Sequence, residues 1–273
     1  MRIWLDGALR DVDGATVSVL DHGLTVGDGV FETLKTEHGR AFALTRHLER
    51  LTRSARGLGL PDPDLDEVRR ACAAVLEAEP VEHGRLRVTY TGGVAPLGSD
   101  RGDAAPTLIA AVAASPRRPD TTAVVTVPWV RNERSAVAGL KTTSYAENVV
   151  ALAAAHRAGA SEALLANTVG RLCEGTGSNV FVVLDGELHT PPLESGCLAG
   201  ITRALVVEWA GAKETDLPFE VLEQAEEVFV TSSLRDAQAV VRLDGRELGT
   251  GPGRVTAEVM RIFQVKAGAD LDP

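Results

Sequence analysis

Val180-Phe181-Val182-Val183-Leu184-Asp185-Gly186-Glu187-Leu188-His189 reads as two short strands joined at an Asp-Gly pair. An apolar run ending on Asp-Gly is a strong short-range hairpin signal, because a tight primed turn demands positive φ and these residues tolerate it. The same signature opens the chain, Ile3-Trp4-Leu5-Asp6-Gly7-Ala8-Leu9, and returns near its end, Val240-Val241-Arg242-Leu243-Asp244-Gly245-Arg246. Their spacing is not that of a repeat protein; it places antiparallel sheet in both halves. Between them, the stretches from Leu44 to Leu58, Asp64 to Glu79, Ala146 to Ala158 and Thr202 to Ala210 carry apolar residues three and four apart, the period of a helix with one buried face. Helix and sheet alternating in this way give an α+β fold.

A chain of 273 residues suits one large domain or two modest ones. The apolar pattern stops at Ala114-Ser115-Pro116-Arg117-Arg118-Pro119-Asp120, where two prolines disfavour both helix and central strand. This break divides the chain into an N-terminal domain at 1–115, a linker at 116–122 and a C-terminal domain at 123–273. The run from Thr91 to Gly102 is long and glycine-rich for a simple connection, so it is either a wall of an active site or a plain surface loop.

Composition narrows the function classes. With 44% hydrophobic and 24% charged residues the chain belongs with globular proteins, and a net charge of -10 opposes binding to nucleic acid or an anionic membrane surface. No apolar run approaches the ~20 residues that span a bilayer, and Met1 to Asp6 contains no apolar signal core, so a cytoplasmic location is expected. Cys72, Cys173 and Cys197 show no CxxC spacing and no histidine at ligand offsets, which predicts buried thiols and no metal site.

Only four lysines occur, Lys35, Lys141, Lys213 and Lys266. Lys213 and Lys266 lie in polar surroundings, and Lys35 alternates with polar residues in the strand from Phe31 to Thr36. Lys141 differs, because small and hydroxylic residues surround it in Gly139-Leu140-Lys141-Thr142-Thr143-Ser144-Tyr145, which is expected to start the helix containing Asn148. A lysine desolvated there would have its pKa lowered, and carbonyl chemistry needs the neutral amine. Taken alone, an exposed lysine at a helix start is the commoner case.

The segment around Lys141, followed by Gly159-Ala160-Ser161-Glu162-Ala163-Leu164-Leu165 and Gly170-Arg171-Leu172-Cys173-Glu174-Gly175-Thr176-Gly177-Ser178-Asn179, resembles the central signature of the class IV aminotransferases. The resemblance extends upstream to Asp21-His22-Gly23-Leu24-Thr25-Val26-Gly27-Asp28-Gly29-Val30-Phe31-Glu32-Thr33 and His47-Leu48-Glu49-Arg50-Leu51. Downstream it includes Leu198-Ala199-Gly200-Ile201-Thr202-Arg203 and Glu227-Val228-Phe229-Val230-Thr231-Ser232-Ser233-Leu234. These motifs keep the family's order over most of the chain.

The resemblance implies a two-domain fold type IV enzyme of pyridoxal 5'-phosphate, with an N-terminal α/β sandwich and a C-terminal pseudo-barrel. It implies that Lys141 carries the cofactor as a Schiff base and that Glu174 binds the pyridine nitrogen. Arg50, Ile201, Thr202, Ser232 and Ser233 would hold the phosphate, and Tyr145 would meet the phenolic oxygen. Without the resemblance these residues have ordinary readings: a solvated arginine, a threonine helix cap, loop serines, and a carboxylate on the surface or paired with Arg171. His22, Asp28 and His47 are read as structural.

Chain length and the Phe31-Glu32-Thr33 ending resemble the lyases and D-amino-acid aminotransferases. The expected reaction is conversion of aminodeoxychorismate to 4-aminobenzoate and pyruvate. An aminotransferase for a branched-chain or D-amino acid is the alternative, and a non-catalytic or binding protein of the same fold is a second one. Many such relatives carry an arginine just after the strand that precedes the glycine-rich loop, where this chain has Thr91 or Gly92. The partners implied are a small amino substrate and a second copy of the chain in a homodimer.

Overall fold

The structure is a computed structural model describing residues 1–273. Its contacts divide into two compact units. The first comprises Met1–Arg117 with Leu140–Tyr145 and Leu271–Pro273, and the second comprises Arg118–Gly139 and Ala146–Asp270. Leu140–Tyr145, which a linear division assigns to the C-terminal domain, therefore packs with the N-terminal unit.

The first unit contains β1 (Arg2–Leu5), β2 (Ala8–Asp11), α1 (His22–Thr25), β3 (Gly29–Glu37), β4 (Arg40–Ala41), α2 (Leu44–Gly57), α3 (Leu65–Ala78), β5 (His83–Thr91) and β6 (Thr107–Ala114). Its strands form an antiparallel sheet in the order β2-β1-β6-β5-β3-β4. Alternation along β5 sends Leu86, Val88 and Tyr90 to one face and Arg85, Arg87 and Thr89 to the other. The apolar face buries Leu48, Leu51 and Ala55 of α2 and Val68, Ala71 and Val75 of α3 against the sheet. Asp64 caps α3 by accepting from the N–H groups of Asp66 and Glu67, which satisfies two donors that the helix leaves open.

The second unit contains β7 (Thr121–Arg131), α4 (Ala146–Arg157), β8 (Glu162–Asn167), β9 (Leu172–Gly175), β10 (Asn179–Leu184), β11 (Glu187–Thr190), α5 (Ile201–Ala210), β12 (Lys213–Glu214), α6 (Val221–Gln224), β13 (Glu227–Ser232), β14 (Asp236–Leu243), β15 (Arg246–Glu247) and α7 (Arg254–Ala269). Nine strands form a mixed sheet in the order β12-β11-β10-β13-β14-β7-β8-β9, with β15 on β14, and the sheet curls into a half-barrel. Phe181 and Phe229 stack across β10 and β13 with ring centroids 4.8 Å apart. No helix is long and apolar enough to cross a membrane.

All three Asp-Gly turns form as expected. Asp6 and Gly7 have φ of 42° and 81°, Asp185 and Gly186 50° and 74°, and Asp244 and Gly245 49° and 82°, the paired positive values a type I′ turn requires. The four helices expected from periodicity are present to within a residue or two. Helix α4 begins at Ala146 as its periodicity predicts, but Lys141 does not sit at its start: Thr142 bridges Val30 and Thr143 N–H donates to Gly29, holding Lys141 in an extended segment before the helix.

Candidate active site

Backbone contacts on both sides of Lys141 fix its place in the first unit. Its N–H donates to Ser54 Oγ of α2 at 3.2 Å, and its carbonyl accepts from Phe31 N–H of β3 at 3.0 Å. The Thr143 hydroxyl donates to the Gly27 carbonyl at 2.8 Å. Lys141 Nζ lies 4.3 Å from the centre of the Phe31 ring and 5.6 Å from that of Tyr145, whose ring meets Phe31 edge-on at 5.1 Å. The other lysines have other surroundings: Lys213 pairs with Glu187 at 2.6 Å, Lys266 lies 5.7 Å from the Trp209 ring and Lys35 lies 5.0 Å from that of Phe42.

The Arg87 guanidinium also lies on the Phe31 ring, 3.8 Å from its centre. Its hydrogen-bonding partner is the Thr89 hydroxyl at 3.4 Å, and no carboxylate of the chain pairs with it. Loss of solvent lowers its pKa, partly offset by Tyr145. Sequence reasoning sought a carboxylate-binding arginine at Thr91 or Gly92 and missed Arg87. The available signal was the alternation of β5, which puts Arg87 on the face away from α2 and α3, where Phe31 also points.

Behind Phe31 lies a buried ionic cluster. Glu32 accepts from Arg50 Nε at 2.8 Å, Arg50 Nη2 at 2.7 Å and His47 Nδ1 at 2.6 Å. Burial pushes the Glu32 carboxyl up, but Arg50 and His47 outweigh it and hold the group well below the usual carboxylate range. Burial pushes His47 down, against the pull of Glu32. Arg50 is thus no solvated helix arginine; two of its three nitrogens are engaged with Glu32.

The second unit holds the other expected residues. Glu174 is buried on β9; its Oε2 accepts from Leu198 N–H at 2.9 Å, and its Oε1 lies 3.0 Å from Arg131 Nε without a hydrogen-bonding alignment. Arg171 instead pairs with Asp216 at 3.3 Å. Leu198 leads directly into α5, whose N-cap is Gly200 and whose end carries no side-chain cap, so Thr202 is not the threonine cap that spacing alone favours. A Cβ at Gly200 would stand 2.0 Å from Asn179 Oδ1, so any larger residue there would have to displace the Asn179 amide, which donates to the Leu198 carbonyl. The backbone N–H groups of Ile201 and Thr202 donate to no group of the chain, an arrangement that fits a phosphate dianion at a helix start. Asn179 is cross-strand from Thr231, whose buried hydroxyl lacks a partner. Ser232 ends β13, and Ser233 follows in the turn to β14.

Residues 176–178 are set by another buried carboxylate. Glu162 accepts from Thr176 N–H at 2.9 Å, from the Thr176 hydroxyl, and from Ser178 Oγ at 2.8 Å. Burial raises the Cys72 thiol to about 12 and Cys197 to about 11, far from nucleophilic values.

The fold defines a class: a two-unit α+β enzyme of the pyridoxal-phosphate-dependent fold type IV. The chain belongs to the amino-transferase class IV family, whose model matches residues 29–243. It is 33% identical to a putative branched-chain-amino-acid aminotransferase of Methanocaldococcus jannaschii, covering 97% of this chain and 96% of that one. It is also 33% identical to a bifunctional aminodeoxychorismate lyase / D-amino acid transaminase of Mycobacterium tuberculosis, covering 95% and 97%. A hypothetical aminotransferase from Mycobacterium tuberculosis, solved in a PLP-bound form, superposes with a TM-score of 0.87 at 29% identity, covering 97% of this chain and 98% of that one.

Proposed function

We propose that this chain is an aminotransferase that moves the amino group of a branched-chain or D-amino acid to a 2-oxo acid. As a class IV enzyme it uses pyridoxal 5'-phosphate and acts on amino acids or related substrates. The relatives displace aminodeoxychorismate lyase as the leading activity, since both are named for transamination and only one for the lyase as well.

One observation carries the proposal: Lys141 and Arg87 share the Phe31 ring, so an amine and an unneutralised guanidinium stand together. A substrate bearing both an amino group and a carboxylate answers both. The bound cofactor supplies an aldehyde and an electron-accepting ring. Lys141 Nζ would carry it and, freed when the substrate amine takes its place, would accept the proton from the substrate α-carbon. Glu174, whose carboxylate is held by Leu198 N–H and lies beside Arg131, would keep the ring nitrogen protonated. Ile201 and Thr202 at the α5 start, with Ser232 and Ser233 of the same unit, would hold the phosphate; the role proposed for Arg50 is a further phosphate contact, and Tyr145 would meet the phenolic oxygen.

The cytoplasmic homodimer expected from sequence remains part of the proposal. Val19, Leu20, Leu24, Val26, Val94 and Leu97 are exposed on segments 15–27 and 92–98, where the only ionisable groups, Asp21 and His22, are buried. A chain of net charge -10 repels its own copy, and this uncharged apolar face is where repulsion is least.

The test is a half-reaction. Holoenzyme mixed with L- or D-forms of leucine, valine and alanine, without any oxo acid, should lose its near-visible absorbance and release the matching oxo acid once per active site. Release of pyruvate and 4-aminobenzoate from aminodeoxychorismate, with no amino acid consumed, would instead restore the lyase.

A further inference from the structure

Arg101 belongs to neither group of side chains described above, yet its guanidinium makes four hydrogen bonds. Nε donates to Asp28 Oδ2 at 2.5 Å, Nη2 to Asp28 Oδ1 at 2.6 Å and to the Leu58 carbonyl at 2.7 Å, and Nη1 to the Gly59 carbonyl at 2.7 Å.

The two places it grips are the two supports of Lys141. Asp28 is the centre of Gly27-Asp28-Gly29, whose flanking carbonyls accept the hydrogen bonds of Thr143 and Ser144. Gly27 has φ of 69°, and a Cβ there would stand 2.7 Å from Ser144 Oγ, so this support fits closely against the lysine segment. Leu58 and Gly59 follow directly on α2, whose last turn provides Ser54 Oγ to Lys141 N–H and packs Gly57 against Leu140, 2.6 Å from where a Cβ would stand. The segment bearing Lys141 thus hangs from β3's start and α2's end, and one guanidinium ties these to each other.

The glycine-rich loop that carries Arg101 has attachments of its own. Thr91 Oγ1 donates to Asp21 Oδ2 at 3.0 Å, Ala95 N–H donates to the Leu20 carbonyl at 3.3 Å, and the Pro96 carbonyl is 3.0 Å from His22 Nε2. Holding this loop therefore does not require Arg101 to reach across to α2.

We propose that Arg101 is a positioning residue for Lys141, acting through Asp28 and the end of α2 to fix the amine over the Phe31 ring. This rests on the reading that Lys141 carries the cofactor. Arginine is specifically required, since a planar fork serves a carboxylate with two nitrogens while reaching two carbonyls, whereas a lysine ammonium is a single point.

The experiment compares wild type, Arg101→Ala, Arg101→Lys and Asp28→Asn as holoenzymes, by amide hydrogen exchange and by kinetics. In each variant, exchange within 140–145 should rise about tenfold. kcat should fall about 10- to 100-fold with a smaller change in KM, as expected for a displaced reacting group. The lysine variant should not rescue either quantity. Faster exchange confined to 92–102 with unchanged kcat would overturn the proposal, reducing Arg101 to an anchor for its own loop. Should the alanine variant not fold, the lysine and asparagine variants, which retain a polar side chain at the site, make the same comparison. Borohydride reduction of wild type separates the two readings: an adduct on Lys141 with undisturbed exchange in the variants sinks only the role of Arg101, whereas no adduct sinks the role of Lys141.

Discussion

Arg87 and Lys141 place a guanidinium and an amine on one aromatic ring, and Arg87 has no acid of its own. A cation left without a carboxylate is a cost to folding unless a ligand supplies one. Replacing Arg87 with leucine should therefore raise KM for amino-acid substrates about 10- to 100-fold, the loss of a charged hydrogen bond of about 1.5–3 kcal/mol. Its melting temperature should change little. Steady-state kinetics and a thermal melt check both, and an unchanged KM would remove Arg87 from the substrate site. At this scale the sequence was only partly legible. Lys141 stood out by scarcity and by its small hydroxylic neighbours, but Arg87 was one of many arginines, and its relation to Lys141 depends on a contact between residues 31 and 141 that no local pattern displays.

The elements beneath the lysine depend on the Glu32 cluster, which joins β3 to α2. Removing one partner of a buried ion pair strands the other, so Glu32→Gln should destabilise the protein by about 3–5 kcal/mol in urea unfolding. A destabilisation below about 1 kcal/mol, the range of an exposed pair, would contradict the burial described. The cluster also sets a pH dependence. His47 is held below its ordinary value, so as pH falls through the ordinary histidine range, about 6.5, the unfolded chain takes up a proton that the folded one refuses, and stability drops. Glu32 acts in the same direction in a more acidic window: its contribution is full above the ordinary carboxylate range and is lost only as pH falls toward its depressed folded value. His47→Asn should flatten the fall in melting temperature between pH 7 and pH 5, as measured by calorimetry. An unaltered slope would show that another group sets it. Elements themselves were the most legible level, because the Asp-Gly turns and helical periods are local signals. Helix α7 lacked such a signal at its start, where Gly253 makes no side-chain cap and Glu227, 28 residues earlier, accepts from the first N–H groups.

For the whole molecule, the uncharged face formed by segments 15–27 and 92–98 bears on assembly. Leu24→Glu combined with Leu97→Glu should convert a dimer to a monomer in light-scattering measurements; a dimer that persists would place the interface elsewhere. Sequence order alone did not reveal that Leu140–Tyr145 joins the first unit while its flanks belong to the second, since hydrogen bonds to Gly27, Gly29 and Ser54 link residues about a hundred positions apart. That arrangement matters because it delivers one of only four lysines to the Phe31 ring. The direct test is reduction of the holoenzyme with borohydride followed by peptide mapping. A single cofactor adduct on Lys141 is the expected result, and an adduct on Lys35, Lys213 or Lys266, or none at all, would contradict it.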